Sequence, residues 1–113
     1  MKIQGINNQY AFRGKVYTAQ NLTIRDLEKL SKGARKINAF AGPINCDFII
    51  YKNEGQNSLS ILAKKLWPKK ECTKEVRGYP SGSVMRDIDL IVETMQEAEE
   101  SFTSKVALGW VCE

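Results

Sequence analysis

The segment from Val84 to Phe102 constrains this chain more than any other. Val84, Ile88, Ile91, Met95, Ala98 and Phe102 recur at alternating steps of four and three, so six apolar side chains share one stripe of a single helix. Such a stripe has to be buried, and the rest of the chain must supply the surface that buries it. The other faces of the same segment hold Asp87, Asp89, Glu93, Glu97, Glu99 and Glu100 against the single base Arg86, a net charge of −5. The whole chain is +4, so the remainder carries +9 (sixteen bases, seven acids). A small protein divided in this way has two oppositely charged surfaces to offer partners.

The 113 residues fit one domain, 1–113, and an apolar share of 42% is enough to build its core. No apolar run approaches the roughly 18 to 20 residues needed to cross a bilayer. The start, Met1-Lys2-Ile3-Gln4-Gly5, lacks a secretory h-region, so a cytoplasmic location is expected, with no membrane partner. Cys46, Cys72 and Cys112 are too few and too widely spaced for a disulfide framework. Histidine is absent, which removes the imidazole general base, Ser-His-Asp and Cys-His nucleophile systems, and nearly every zinc ligand set. No cofactor motif, catalytic set or metal-ligand set is legible.

Along the chain, residues 2–17 read as a hairpin or short meander turning at Arg13-Gly14-Lys15. Thr23 caps a helix, with Asp26 in the capping-box position usually held by Glu. Ile24, Leu27, Leu30, Ala34, Ile37 and Phe40 continue its stripe to about Ala41, either as one helix or as two that meet at Lys32-Gly33. A helix-turn-helix can be laid over this region, but the unbroken stripe argues against it. Cys46 to Tyr51 has the content of a buried strand. Asn57 reads as the cap of a short helix carrying Leu59, Leu62 and Leu66 inward to Trp67, and Lys74 to Tyr79 as an edge strand. Pro80-Ser81-Gly82 leads into Ser83 as the N-cap of the acidic helix, and Val106, Leu108, Trp110 and Cys112 alternate as a terminal strand. The fold class expected is α+β: a small antiparallel or mixed β-sheet with helices over about 23–41, 57–67 and 84–102 packed mainly on one face. The long helix should lay its stripe on Phe48, Ile50 and Trp110.

Two surfaces are candidates for function. Asp89, Glu93, Glu97 and Glu100 recur at helical spacing and form an acidic face suited to a basic partner protein. Lys64, Lys65, Trp67, Lys69, Lys70, Lys74 and Arg77 form a basic segment with aromatic interleaving, continued by Tyr79, which suits nucleic acid. Lys29, Lys32, Arg35 and Lys36 make a second basic cluster on the first helix. Cys72, among lysines, reads as an inert surface thiol, and Cys46 and Cys112 as small core residues. Asp47, Glu54 and the run Glu71-Cys72-Thr73-Lys74 weakly echo a metal-dependent nuclease, without its usual acid-to-lysine gap. The reading that follows is a non-enzymatic binding protein (inhibitor, adaptor or accessory factor) docking on a macromolecular partner, with a nucleic-acid-handling complex as the expected setting. Direct nucleic-acid binding is the alternative, and self-association through opposite-charge faces a third.

Overall fold

The computed structural model describes residues 14–66 and 69–103. The terminal strand expected over Val106 to Cys112, Trp67 and most of the N-terminal hairpin lie outside the described residues. Seven elements follow in chain order: β1 (Val16–Thr18), α1 (Ile24–Lys32), α2 (Ala34–Ala41), β2 (Asp47–Lys52), β3 (Leu59–Leu66), β4 (Lys69–Glu75) and α3 (Val84–Thr103). The sheet is mixed, in the order β1-β2-β3-β4, with β1 parallel to β2 and the other pairs antiparallel. The long path through α1 and α2 is what lets β1 and β2 run parallel, since parallel neighbours need a crossover.

Cross-strand partners share a face, so the register sorts the side chains. Val16, Phe48, Ala63 and Cys72 form one row across the sheet, and Thr18, Ile50, Ile61 and Lys74 the next. Val16, Phe48, Ile50, Ile61 and Ala63 are fully buried beneath the helices, together with Leu59. From the helices come Leu30, Ile37, Ala41, Ile88, Ile91, Met95 and Ala98, all buried. This is the α+β layer expected. The opposite face carries Tyr17, Ile49 and Leu62 in a half-buried row.

Three local expectations change. The helix expected over 57–67 is instead β3. Leu59, Leu62 and Leu66 satisfy helical spacing, but Leu59, Ile61 and Ala63 alternate equally well, and the hydrogen-bonding edges of β2 and β4 on either side decide for a central strand. The edge strand begins earlier than expected, at Lys69, and ends at Glu75. The stripe of α3 is buried as expected at Ile88, Ile91, Met95 and Ala98, but it lies chiefly over β3 and β4 rather than on Phe48 and Ile50 of β2. Phe48 instead meets Phe40 of α2, ring centroids 6.3 Å apart.

The first helical region is two helices. Gly33 separates them, and its Cα sits where Ile88 of α3 presses in: a Cβ there would stand 2.5 Å from Ile88 Cδ1. The missing side chain admits the close approach of α3.

Candidate functional site

The N-terminus of α3 is pinned by a buried polar clamp. Thr23 caps α1 by accepting from the Asp26 backbone N–H at 3.1 Å, and the Asp26 carboxylate accepts from the Thr23 N–H at 3.1 Å, so the Asp capping box forms. The same carboxylate accepts from Lys52 Nζ at 2.6 Å and from the Tyr79 hydroxyl at 2.6 Å. Lys29 Nζ lies 4.4 Å from the Tyr79 ring centroid and donates to Asp87 Oδ2 at 2.8 Å, and Asp87 Oδ1 accepts from the Ser81 N–H at 2.8 Å. Two ion pairs thus enclose one tyrosine, joining α1, the end of β2, the loop after β4 and the first turn of α3. Ser83 caps α3, accepting from the Arg86 N–H at 3.3 Å.

Electrostatics follow from these contacts. Burial alone would raise the Asp26 pKa, but the bonds from Lys52, Tyr79 and Thr23 outweigh it and hold it at about 2. Asp87 is depressed in the same way, burial being overcome by Lys29 and Ser81. Tyr79 moves up, through burial and then the hydrogen bond and negative charge of Asp26. Every group of the clamp is committed to another, so its geometry is that of a structural tie.

Of the clamp's Asp26, Lys29, Lys52, Tyr79 and Asp87, the sequence placed Lys29 and Tyr79 on basic surfaces and brought no two of the five together. Asp87, counted with the acidic surface, is fully buried. Tyr79, considered for base stacking, is buried with its hydroxyl on Asp26. Asp26 and Asp87 each sit in the first turn of a helix, where an acid needs only the helix dipole to explain it. Their partners Lys52, Tyr79 and Lys29 lie 26 to 58 residues away, beyond any local pattern.

The acidic face is where the spacing put it. Glu93, Glu97 and Glu100 are exposed on the outer side of α3, and Gln96 donates to Glu100 at 3.2 Å. Asp89 is half-exposed and ion-paired with Lys36 of α2. Among the described residues Glu93 and Glu97 make no ion pair.

The basic segment is divided by the pleat. Lys64 and Lys69 lie on the open face of the sheet, with Lys64 3.7 Å from Glu71. Lys65, Lys70 and Lys74 lie on the helix side, and Arg77 is exposed beyond the strand. Trp67 lies outside the described residues. Cys72 is not a surface thiol: it is 5% exposed, on the inner face opposite Ala63, with Ser101 Oγ 3.2 Å from its sulfur. Cys46 is buried as expected, and burial, then the charges of Glu99 and Asp47, push its thiol up to about 12. The weak nuclease pattern does not assemble. Asp47 and Glu71 flank Lys64 in one row, Glu54 sits in the turn at the far end of β2, and no trio of candidate metal ligands converges among the described residues.

No family model matches the chain, and no curated protein or solved structure is significantly similar to it. The reading of function therefore rests on the residues themselves. No helix among the described residues is long and apolar enough to cross a membrane.

Proposed function

We propose that this chain is a non-enzymatic docking protein, an inhibitor, adaptor or accessory factor, that engages a basic face of a macromolecular partner through Glu93, Glu97 and Glu100. The observation that carries this reading is a strip of carboxylates on a helix that cannot yield. Ile88, Ile91, Met95 and Ala98 are at most 4% exposed, and the clamp fixes the helix at its start. Charges held on a rigid support lose little entropy on binding, and they set partner choice and encounter rate. Glu100, in the last turn of α3, also opposes the helix dipole by a few tenths of a kcal/mol, so helix formation gives no reason for it. Asp89 contributes less, since Lys36 already answers its charge.

Direct nucleic-acid binding has less support, because neighbouring lysines of the 64–77 segment face opposite sides of the sheet. The test is charge reversal on the full chain. Tagged protein should retain a dominant partner from the lysate of its native host, and the triple variant Glu93→Lys, Glu97→Lys, Glu100→Lys should release it. Retention unchanged by the triple variant removes the strip from the reading. A salt-sensitive gel shift with single-stranded, double-stranded or RNA probes would favour the nucleic-acid alternative instead.

A further inference from the structure

A second surface lies at the other end of α3, and it does not depend on the carboxylate strip. The first turns of α3 run beside the junction of α1 and α2, leaving an open trough of about 620 Å³ between two helical walls. Its apolar lining is aliphatic: Ala39, Val84, Met85 and Ile88. Met85 is 76% exposed and Val84 37%, two of the three large exposed hydrophobic residues in the described chain. Grouped exposure of this kind marks interaction sites, whereas scattered apolar residues carry no such meaning. The rim is cationic. Lys32, Arg35 and Lys36 stand along it, and only Lys36 has an acid opposite, Asp89.

We infer that this trough takes an acidic amphipathic helical segment of a partner protein, seating one large apolar side chain between Val84, Met85 and Ala39 with carboxylates on Lys32 and Arg35. The shape is that of helix-in-groove recognition, in which a partner helix lays its apolar face between two others. The charge pattern selects the sign: Lys32 and Arg35 make no ion pair among the described residues. A two-fold copy of this chain suits the trough poorly, because such pairing would set the cationic rims of both copies against each other.

The experiment is a selection of displayed random 14-residue peptides on the immobilised full chain, followed by fluorescence anisotropy of the enriched peptides. The enriched set should carry a large apolar residue with Asp or Glu within one turn of it. Met85→Glu and the pair Lys32→Glu, Arg35→Glu should each weaken binding at least tenfold, while Glu93→Lys with Glu97→Lys should change it less than twofold. Exchanging the peptide's acids for lysines should restore affinity for the Lys32→Glu, Arg35→Glu chain. Circular dichroism should show the variants folded, since the substituted side chains are exposed. No enrichment, or enriched peptides indifferent to Met85→Glu, overturns the inference. Basic peptides lost on Glu93→Lys overturn it as well, while favouring the carboxylate strip. A dimer in sedimentation that Met85→Glu dissociates assigns the trough to a second copy and likewise overturns it.

Discussion

The Tyr79 hydroxyl donates a 2.6 Å hydrogen bond to Asp26 Oδ1 across 53 residues of chain, tying the loop that precedes α3 to the first turn of α1. With Lys52 on the other carboxylate oxygen, it joins α1, the end of β2 and the loop before α3 at one buried carboxylate.

Removing that hydroxyl should therefore cost more than an average surface bond. Tyr79→Phe keeps the ring beneath Lys29 but takes one donor from a buried carboxylate, an expected loss of about 2 kcal/mol. Asp26→Asn should cost more, about 3 kcal/mol, because it leaves the Lys52 ammonium facing a neutral group. Urea unfolding midpoints measure both. Two variants as stable as the parent would show that the clamp contributes nothing.

The same contacts set the pH range of stability. Asp26 titrates at about 2 when folded, against about 3.9 in an unfolded chain. Its folded pKa is depressed, so the stabilisation is fully present above about pH 4 to 5 and is lost as pH falls toward 2. It amounts to about 2 kcal/mol near neutrality. Asp87 shifts in the same direction and steepens the same limb. Tyr79 is raised, so its contribution holds at neutral pH and fades above about pH 10, where the unfolded chain ionises first. Asp26→Asn should flatten the acid limb of a midpoint-against-pH profile, and an unaltered limb would assign acid unfolding to other carboxylates.

How far the sequence could be read depended on whether a pattern was local. The α3 stripe was legible because several positions agree on one period, and Thr23 with Asp26 because a cap and its partner lie three residues apart. Residues 57–67 were not, since Leu59, Leu62 and Leu66 fit a helix while Leu59, Ile61 and Ala63 fit a strand. The choice is made by hydrogen bonds to β2 and β4, which no window over the segment contains. The carboxylate strip was readable for the same reason as the stripe behind it. The clamp was not, because Lys52, Tyr79 and Asp87 come from separate elements, and each has an ordinary local reading as a strand-end lysine, a loop tyrosine or a first-turn acid. The trough at Met85 was hidden as well, since its rim and apolar lining come from helices some fifty residues apart.

Gly33 offers a test of how α3 is seated. Gly33 caps both α1 and α2, and its backbone at φ −100° is one that alanine also adopts. The alanine methyl group would nevertheless lie 2.5 Å from both Ile88 Cδ1 and Cγ1 and 2.7 Å from Cγ2, so no rotamer of a buried isoleucine escapes. Gly33→Ala should therefore destabilise by about 1 to 3 kcal/mol. In Ile88→Ala, itself destabilised by about 2 to 4 kcal/mol, adding Gly33→Ala should cost nothing or give stability back. Additive losses in this double-mutant cycle would mean that the two positions are not in contact.

Burial of Cys46 makes a chemical prediction. Cys46 is 3% exposed and its thiol is raised to about 12, first by burial and then by Glu99 and Asp47, so at pH 8 the folded protein holds almost no thiolate there. Alkylation requires the thiolate and an approach path, and the native site supplies neither. Iodoacetamide at pH 8, followed by peptide mass mapping, should leave Cys46 unmodified over hours in the native protein and label it fully in urea. Asp26→Asn should speed the reaction if modification proceeds through global unfolding, because the open population rises with each kcal/mol lost. Rapid native labelling would mean that the edge between β2 and the end of α3 opens on its own, independently of the clamp at the other end of the helix.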